Sequence, residues 1–95
     1  MSDVIEKAVE TLNAKIDGGF DGVAKFVIED EGAIIVDSEG AHAADTPAEV
    51  TLTASLDTFR DMMEGDLNPT TAFMTGKLRI EGDMGKAMQL AHIFT

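Results

Sequence analysis

The chain contains no cysteine, which excludes a disulfide framework, thiolate chemistry and any zinc site built on sulfur. Its two histidines are too few for most metal centres or catalytic triads. No apolar run approaches the length needed to span a bilayer, so stable membrane insertion is not expected. The opening MSDVIEKAVE lacks the basic and apolar regions of a secretory signal, and the closing HIFT is not an SKL-type peroxisomal address. A soluble cytoplasmic protein is the expectation. Basic residues are scarce: 7 Lys and Arg stand against 18 Asp and Glu, a net charge of −11. Such a surface repels phosphate backbones and removes the counterion release on which nucleic-acid binding depends. It also works against docking on anionic membranes, and its ordinary consequence is solubility.

What is present suits one small domain, residues 1–95. A domain of this size buries roughly two-thirds of its unfolded surface, enough for a core without covalent staples. Asp3 and Glu6 have the spacing of a capping box, and Ile5, Ala8-Val9, Leu12 and Ile16 recur at helical spacing until Gly18-Gly19. Phe20 is placed to pack back on that stripe. Residues 23–29 and 33–38 alternate as two strands joined across Asp30-Glu31-Gly32, a hairpin. Ala24, Phe26 and Ile28 share one face of the first; Ile34 and Val36 oppose Ile35 and Asp37 in the second. Residues 41–44 suggest a short third strand, Pro47 marks a loop, and residues 49–54 alternate again. Ser55 is a good N-cap for a helix reaching Glu64, closed by Gly65, with Leu56, Phe59 and Met62 or Met63 as its apolar stripe.

The stretch Gly65 to Leu90 carries the most information. Asn68 can cap and Pro69 fits the first helical position, opening a short helix over 70–75 that Gly76 stops. Residues 77–81 alternate as a half-buried strand with Leu78 and Ile80 on one side. Gly82 turns the chain, and Asp83 caps a last helix over 84–94. Phe73, Met74, Leu78, Ile80, Met84 and Met88 are thereby drawn together, and none of them can break a bond. Five of the six methionines lie in this half of the chain. A methionine fills core gaps and also adapts to ligands of variable shape, so the residues alone leave core and cavity wall open.

Gly65, Asn68-Pro69, Ala72-Phe73, Gly76-Lys77-Leu78, Ile80, Gly82, Met84-Gly85 and Ala87-Met88 also resemble the signature of the sterol carrier protein type-2-like lipid-binding domain. The resemblance implies a small fold with an antiparallel sheet backed by helices. It further implies an apolar tunnel for fatty acids, acyl-CoA, sterols or similar lipids, with no cofactor and no enzymatic activity. On that basis the tunnel wall is expected at Phe59, Met62, Met63, Phe73, Met74, Ile80, Met84 and Met88, as apolar contacts only. The chain reaches Thr95 just after the last helix, where family members often continue with a covering segment. The expectation is a more open site or a homodimer that covers it in trans.

Motifs of other chemistries fall short. Gly82-Asp83-Met84-Gly85-Lys86 has two residues between its glycines rather than four, lacks the Ser or Thr after its lysine, and carries an acidic residue. Glu29-Asp30-Glu31 lacks the alternate ligand spacing of a calcium loop and reads as a solvated turn. Glu64 with Asp66, and Glu81 with Asp83, sit at element ends, where acidic residues serve as caps. His42 falls in a polar loop region and His92 near a helix end, both structural places. No metal site is expected, nor any serine-nucleophile or zinc-protease motif. The element order therefore predicts an α+β domain: a mainly antiparallel sheet of about five strands covered by helices, holding a hydrophobic small molecule. The alternative is a protein-interaction or accessory module of the same fold without a working lipid cavity.

Overall fold

A computed structural model describes residues 3–16 and 19–92. Helix α1 (Asp3–Lys15) is followed by strands β1 (Ala24–Ile28), β2 (Gly32–Asp37), β3 (Gly40–Ala43) and β4 (Val50–Ala54). Helices α2 (Leu56–Met63) and α3 (Pro69–Met74), strand β5 (Leu78–Gly82) and helix α4 (Met84–Ala91) complete the chain. The predicted elements are all present, with boundaries moved by a residue or two. Asp3 and Glu6 stand in the first turn of α1, where carboxylates complement the helix dipole. Gly18 and the predicted extension of α4 to Phe94 lie outside the described residues.

The strands form one sheet in the order β3-β2-β1-β4-β5. Three of its four pairings are antiparallel, whereas β1 and β4 run parallel, Phe26 opposite Leu52. The register places Ala24, Phe26, Ile28, Ile34, Val36, Ala41, Val50, Leu52, Ala54 and Leu78 on one face. The buried residues of all four helices join that face in a single core. Phe59 of α2 meets Phe26 of β1 edge to face, with ring centroids 5.4 Å apart, a geometry worth about 0.5–1.5 kcal/mol beyond the area it buries.

Parallel pairing of β1 with β4 forces the chain from the edge strand β3 across β2 and β1 in the six residues between Ala43 and Val50. This connection crosses the sheet face that carries no helix. Lys25, on that face, reaches Asp45 of the connection at 2.9 Å, and Ile35 beside it is only 2% exposed although it points away from the core. The alternation of β2 set Ile35 with Asp37, opposite Ile34 and Val36, and the crossing connection lies on that side of the sheet.

The free edge of the sheet at β3 meets α1 closely. The Asn13 amide donates to the Ala41 carbonyl at 3.0 Å and accepts from the Ala41 N–H at 2.7 Å, standing in for a sixth strand on β3. A Cβ on the neighbouring Gly40 would sit 2.6 Å from Asn13 Oδ1. On the inner side of β5, the Asp83 N–H extends the pairing with β4 by donating to the Glu49 carbonyl at 2.9 Å. That contact draws Gly82, at φ +108°, so close that a Cβ there would lie 2.4 Å from the same carbonyl oxygen. Replacing Gly82 by alanine is expected to cost about 2–3 kcal/mol, lowering the thermal midpoint by ~10 °C or more in a circular-dichroism melt.

Candidate functional site: two apolar clefts

Short-range capping sets the positions of the three C-terminal helices. Ser55 Oγ accepts from the Thr58 N–H at 3.2 Å, Asn68 Oδ1 from Thr70 at 2.7 Å, and Asp83 Oδ1 from Gly85 at 2.8 Å and Lys86 at 3.2 Å. All three were expected from the sequence, whereas Asp3, expected to cap α1, is its first helical residue. At the other ends, α2 and α3 both close in Schellman turns. In α2 the Asp66 N–H donates to the Asp61 carbonyl and Gly65 to Met62; in α3 Lys77 donates to Ala72 and Gly76 to Phe73. The second turn reverses the chain straight into β5, which brings Phe73 and Met74 beside Leu78 and Ile80.

A cleft of about 290 Å³ opens between α3, β5 and α4. Leu52, Pro69, Leu78 and Ala87 are its buried members, and Met84, Ala87, Met88 and Ala91 line it from α4 at one-turn spacing. Thr70, Phe73, Met74 and Ile80 complete the lining. Among the described residues, no charged one lines it, and the Thr70 hydroxyl is the one polar side-chain group. Around it Phe73, Met74, Met84 and Met88 are 43, 79, 46 and 54% exposed, an unusual amount of large apolar surface to leave in water at one place.

A second cleft, about 300 Å³, separates α1 from α2. Val4, Lys7, Ala8 and Thr11 line one side and Leu56, Phe59, Arg60, Met63 and Glu64 the other. Each set repeats at one-turn spacing, so two helix faces look at each other across a gap.

The eight residues expected on one wall are therefore distributed. Phe73, Met74, Ile80, Met84 and Met88 share the cleft of α3, β5 and α4, while Phe59 and Met63 line the one between α1 and α2. Met62 is fully buried in the core and lines neither. Helical periodicity places Phe59, Met62 and Met63 on the apolar side of α2, but not which of them faces which neighbour. Ala87 and Ala91 were readable from the one-turn spacing through Met84 and Met88. Leu52 and Thr70 gave no such signal, because their place in the cleft depends on strand order and on the start of α3.

Other candidate groups are elsewhere. His42 is exposed on β3, and His92 caps the C-terminus of α4. Glu29, Asp30 and Glu31 form the tip of the β1–β2 hairpin, with Asp30 at φ +67°. Asp83 occupies with its own carboxylate the helix N-terminus that a phosphate would need. Asp61, Glu64 and Asp66 bring three exposed carboxylates within 4.8 Å of one another, a consequence of the turn that closes α2. Among the described residues, no helix is long and apolar enough to cross a membrane.

Fold and cleft together describe a small α+β domain: a helix-covered sheet face with a cleft at one end whose described lining is uncharged. Comparison with known proteins is specific. The SCP-2 sterol transfer family model matches residues 3–95, and the chain belongs to that family. It is 35% identical over 96 residues to hydroxysteroid dehydrogenase-like protein 2 of Xenopus tropicalis, covering 92% of this chain and 23% of that protein. It is 31% identical over 99 residues to human sterol carrier protein 2, covering 94% of this chain and 18% of that one. The chain thus spans about a fifth of the length of these relatives. Among solved structures it resembles sterol carrier protein-2 of Aedes aegypti in complex with the C16 fatty acid palmitate. The TM-score is 0.78, with 21% identity, over 100% of this chain and 97% of that one, a likeness of fold.

The contrast between core and rim methionines is directly testable. Met62→Ala should cost about 2–5 kcal/mol as a core truncation, whereas Met74→Ala should stay within about 0.5 kcal/mol. Urea denaturation of the two variants measures both.

Proposed function

We propose that this chain is a non-enzymatic lipid-binding and lipid-transfer domain. In this reading it holds a fatty acyl, acyl-CoA or sterol-like molecule against the wall formed by Phe73, Met74, Ile80, Met84 and Met88. The observation that carries the reading is the uncharged lining of the cleft beneath four exposed large apolar side chains. Such a lining cannot orient a reaction, but it can hold hydrocarbon, which gains ~0.8 kcal/mol for each CH₂ removed from water. A ligand of this kind needs no specific hydrogen bond to be retained. Membership of the sterol transfer family and the palmitate held by the Aedes aegypti structure support the same chemistry.

The cleft lies at the lower end of the range for ligand sites, roughly 300–1,000 Å³. A long acyl chain therefore requires the rim to open into a deeper tunnel. Three of the four rim side chains are methionines, with three soft torsions each, so the wall can reshape at little cost. Selectivity should be correspondingly low, because one methylene more or less is worth only ~1–3 kcal/mol. Exposed apolar surface equally suits a protein partner, and that second reading, an interaction module without a lipid cavity, has a distinct experimental signature.

Titration of the delipidated domain with a fluorescent fatty acyl ligand should show saturable binding, displaced by unlabelled fatty acid. At a free ligand concentration of about 100 times its dissociation constant, the fold should gain roughly 2.7 kcal/mol of stability. Met88→Glu places a charge on the apolar wall and should weaken binding by about a hundredfold or more. Because Met88 is half exposed, that variant should keep the parent stability within about 0.5 kcal/mol. A folded domain with no saturable binding would move the assignment to the interaction module.

A further inference from the structure

We infer that the cleft between α1 and α2 is a second ligand site, selective for a single-chain amphiphile with a carboxylate head. The inference does not rest on the proposed use of the other cleft. The floor is apolar: Ala8, Phe59 and Met63 are buried, and Val4 and Leu56 are partly buried beside them. The charged members of the lining are Lys7, Arg60 and Glu64, all exposed. The cleft of α3, β5 and α4 has no cation in its lining, so both cleft-lining cations belong to this one. In a chain with 7 basic and 18 acidic residues, that placement runs against the overall charge.

The net charge of the lining narrows the ligand. Lys25 forms a salt bridge with Asp45, but neither Lys7 nor Arg60 forms one with a described residue, although Glu64 lies one helical turn beyond Arg60. Two cations and one carboxylate leave the lining with a single positive charge. That matches a monoanion, whereas a dianionic head would face Glu64 with charge left over. Lys7 and Arg60 come from opposite walls, so a carboxylate between them would receive charge-assisted hydrogen bonds from both helices. Its hydrocarbon tail would lie on Ala8, Phe59 and Met63. The volume, about 300 Å³, suits a medium-length chain better than a sterol.

Methionine methyl groups report on the two clefts separately. Met63 belongs to the α1–α2 cleft, and Met74, Met84 and Met88 to the other. The domain carrying methyl-labelled methionine would be titrated by NMR with dodecanoate below its micelle threshold, and in parallel with dodecanol. A saturable shift at Met63 is expected, and it should persist in Met88→Glu. Affinity read at Met63 should fall about tenfold for dodecanol and for the double variant Lys7→Gln/Arg60→Gln, as for loss of one or two charge-assisted contacts. Both residues are exposed, so the double variant should fold, and Lys7→Arg should retain the affinity. Shifts confined to Met74, Met84 and Met88 would overturn the second site and leave the first cleft's reading intact. No shift at any methionine would remove both. Equal affinity at Met63 for dodecanol, or for the neutralised variant, would refute the carboxylate assignment. A Met63 shift on dilution of the free protein would assign the cleft to a second copy of the chain instead.

Discussion

The parallel pairing of β1 with β4 governs the rest of the structure. It joins two antiparallel units, β3-β2-β1 and β4-β5, into one sheet with a single buried face. It also obliges the chain after β3 to cross the sheet without a helix, which the link between Lys25 and Asp45 and the burial of Ile35 record. With that face taken by the connection, every helix lies on the other, and four helices must share the cover of five strands. Over the first unit lies α1, which contacts β2 and β3; over the second lie α3 and α4, which contact β4 and β5. The cover divides where these groups meet. One cleft separates α1 from α2, and the other opens within the second group, between α3, β5 and α4.

The two gaps differ in chemistry because the elements beside them differ in composition. Around the C-terminal one, α3 is a single capped turn and a half of small and apolar residues, and α4 presents Met84, Ala87, Met88 and Ala91. No charged side chain lines it among the described residues. Around the other, α1 and α2 are amphipathic surface helices, and the boundary of their apolar stripes carries Lys7 and Arg60. Deep burial is kept for residues that hold the two layers together, such as Phe26 against Phe59 and the fully enclosed Met62. The rim side chains of the clefts thus stand outside the contacts that hold the layers together.

Local signals in the sequence translated faithfully into elements. Ser55, Asn68 and Asp83 accept the hydrogen bonds of N-caps, and Gly65 and Gly76 close helices in the left-handed conformation that favours glycine. The inward set of β1 and β4 follows from alternation alone. The family pattern across residues 65–88 was equally readable, because it depends on the residues of one continuous stretch. The grouping of Phe73, Met74, Ile80, Met84 and Met88 around one cleft likewise follows from a helix, a strand and a helix joined by tight turns.

The amino-acid sequence by itself determined the elements, their caps, the uncharged character of the C-terminal stretch and membership of the sterol transfer family. These depend on neighbours a few residues apart, and the physics of capping, alternation and turn formation acts over that range. Only the tertiary structure decided that β4 joins β1 in parallel, that Ile35 is covered from the outer side, and that Met62 is core while Met63 faces a cleft. It alone brought Lys7 and Arg60, more than fifty residues apart in the chain, to the two walls of one gap. Those outcomes depend on strand order and on the relative placement of helices, set by packing between residues distant in sequence, and no local periodicity encodes them.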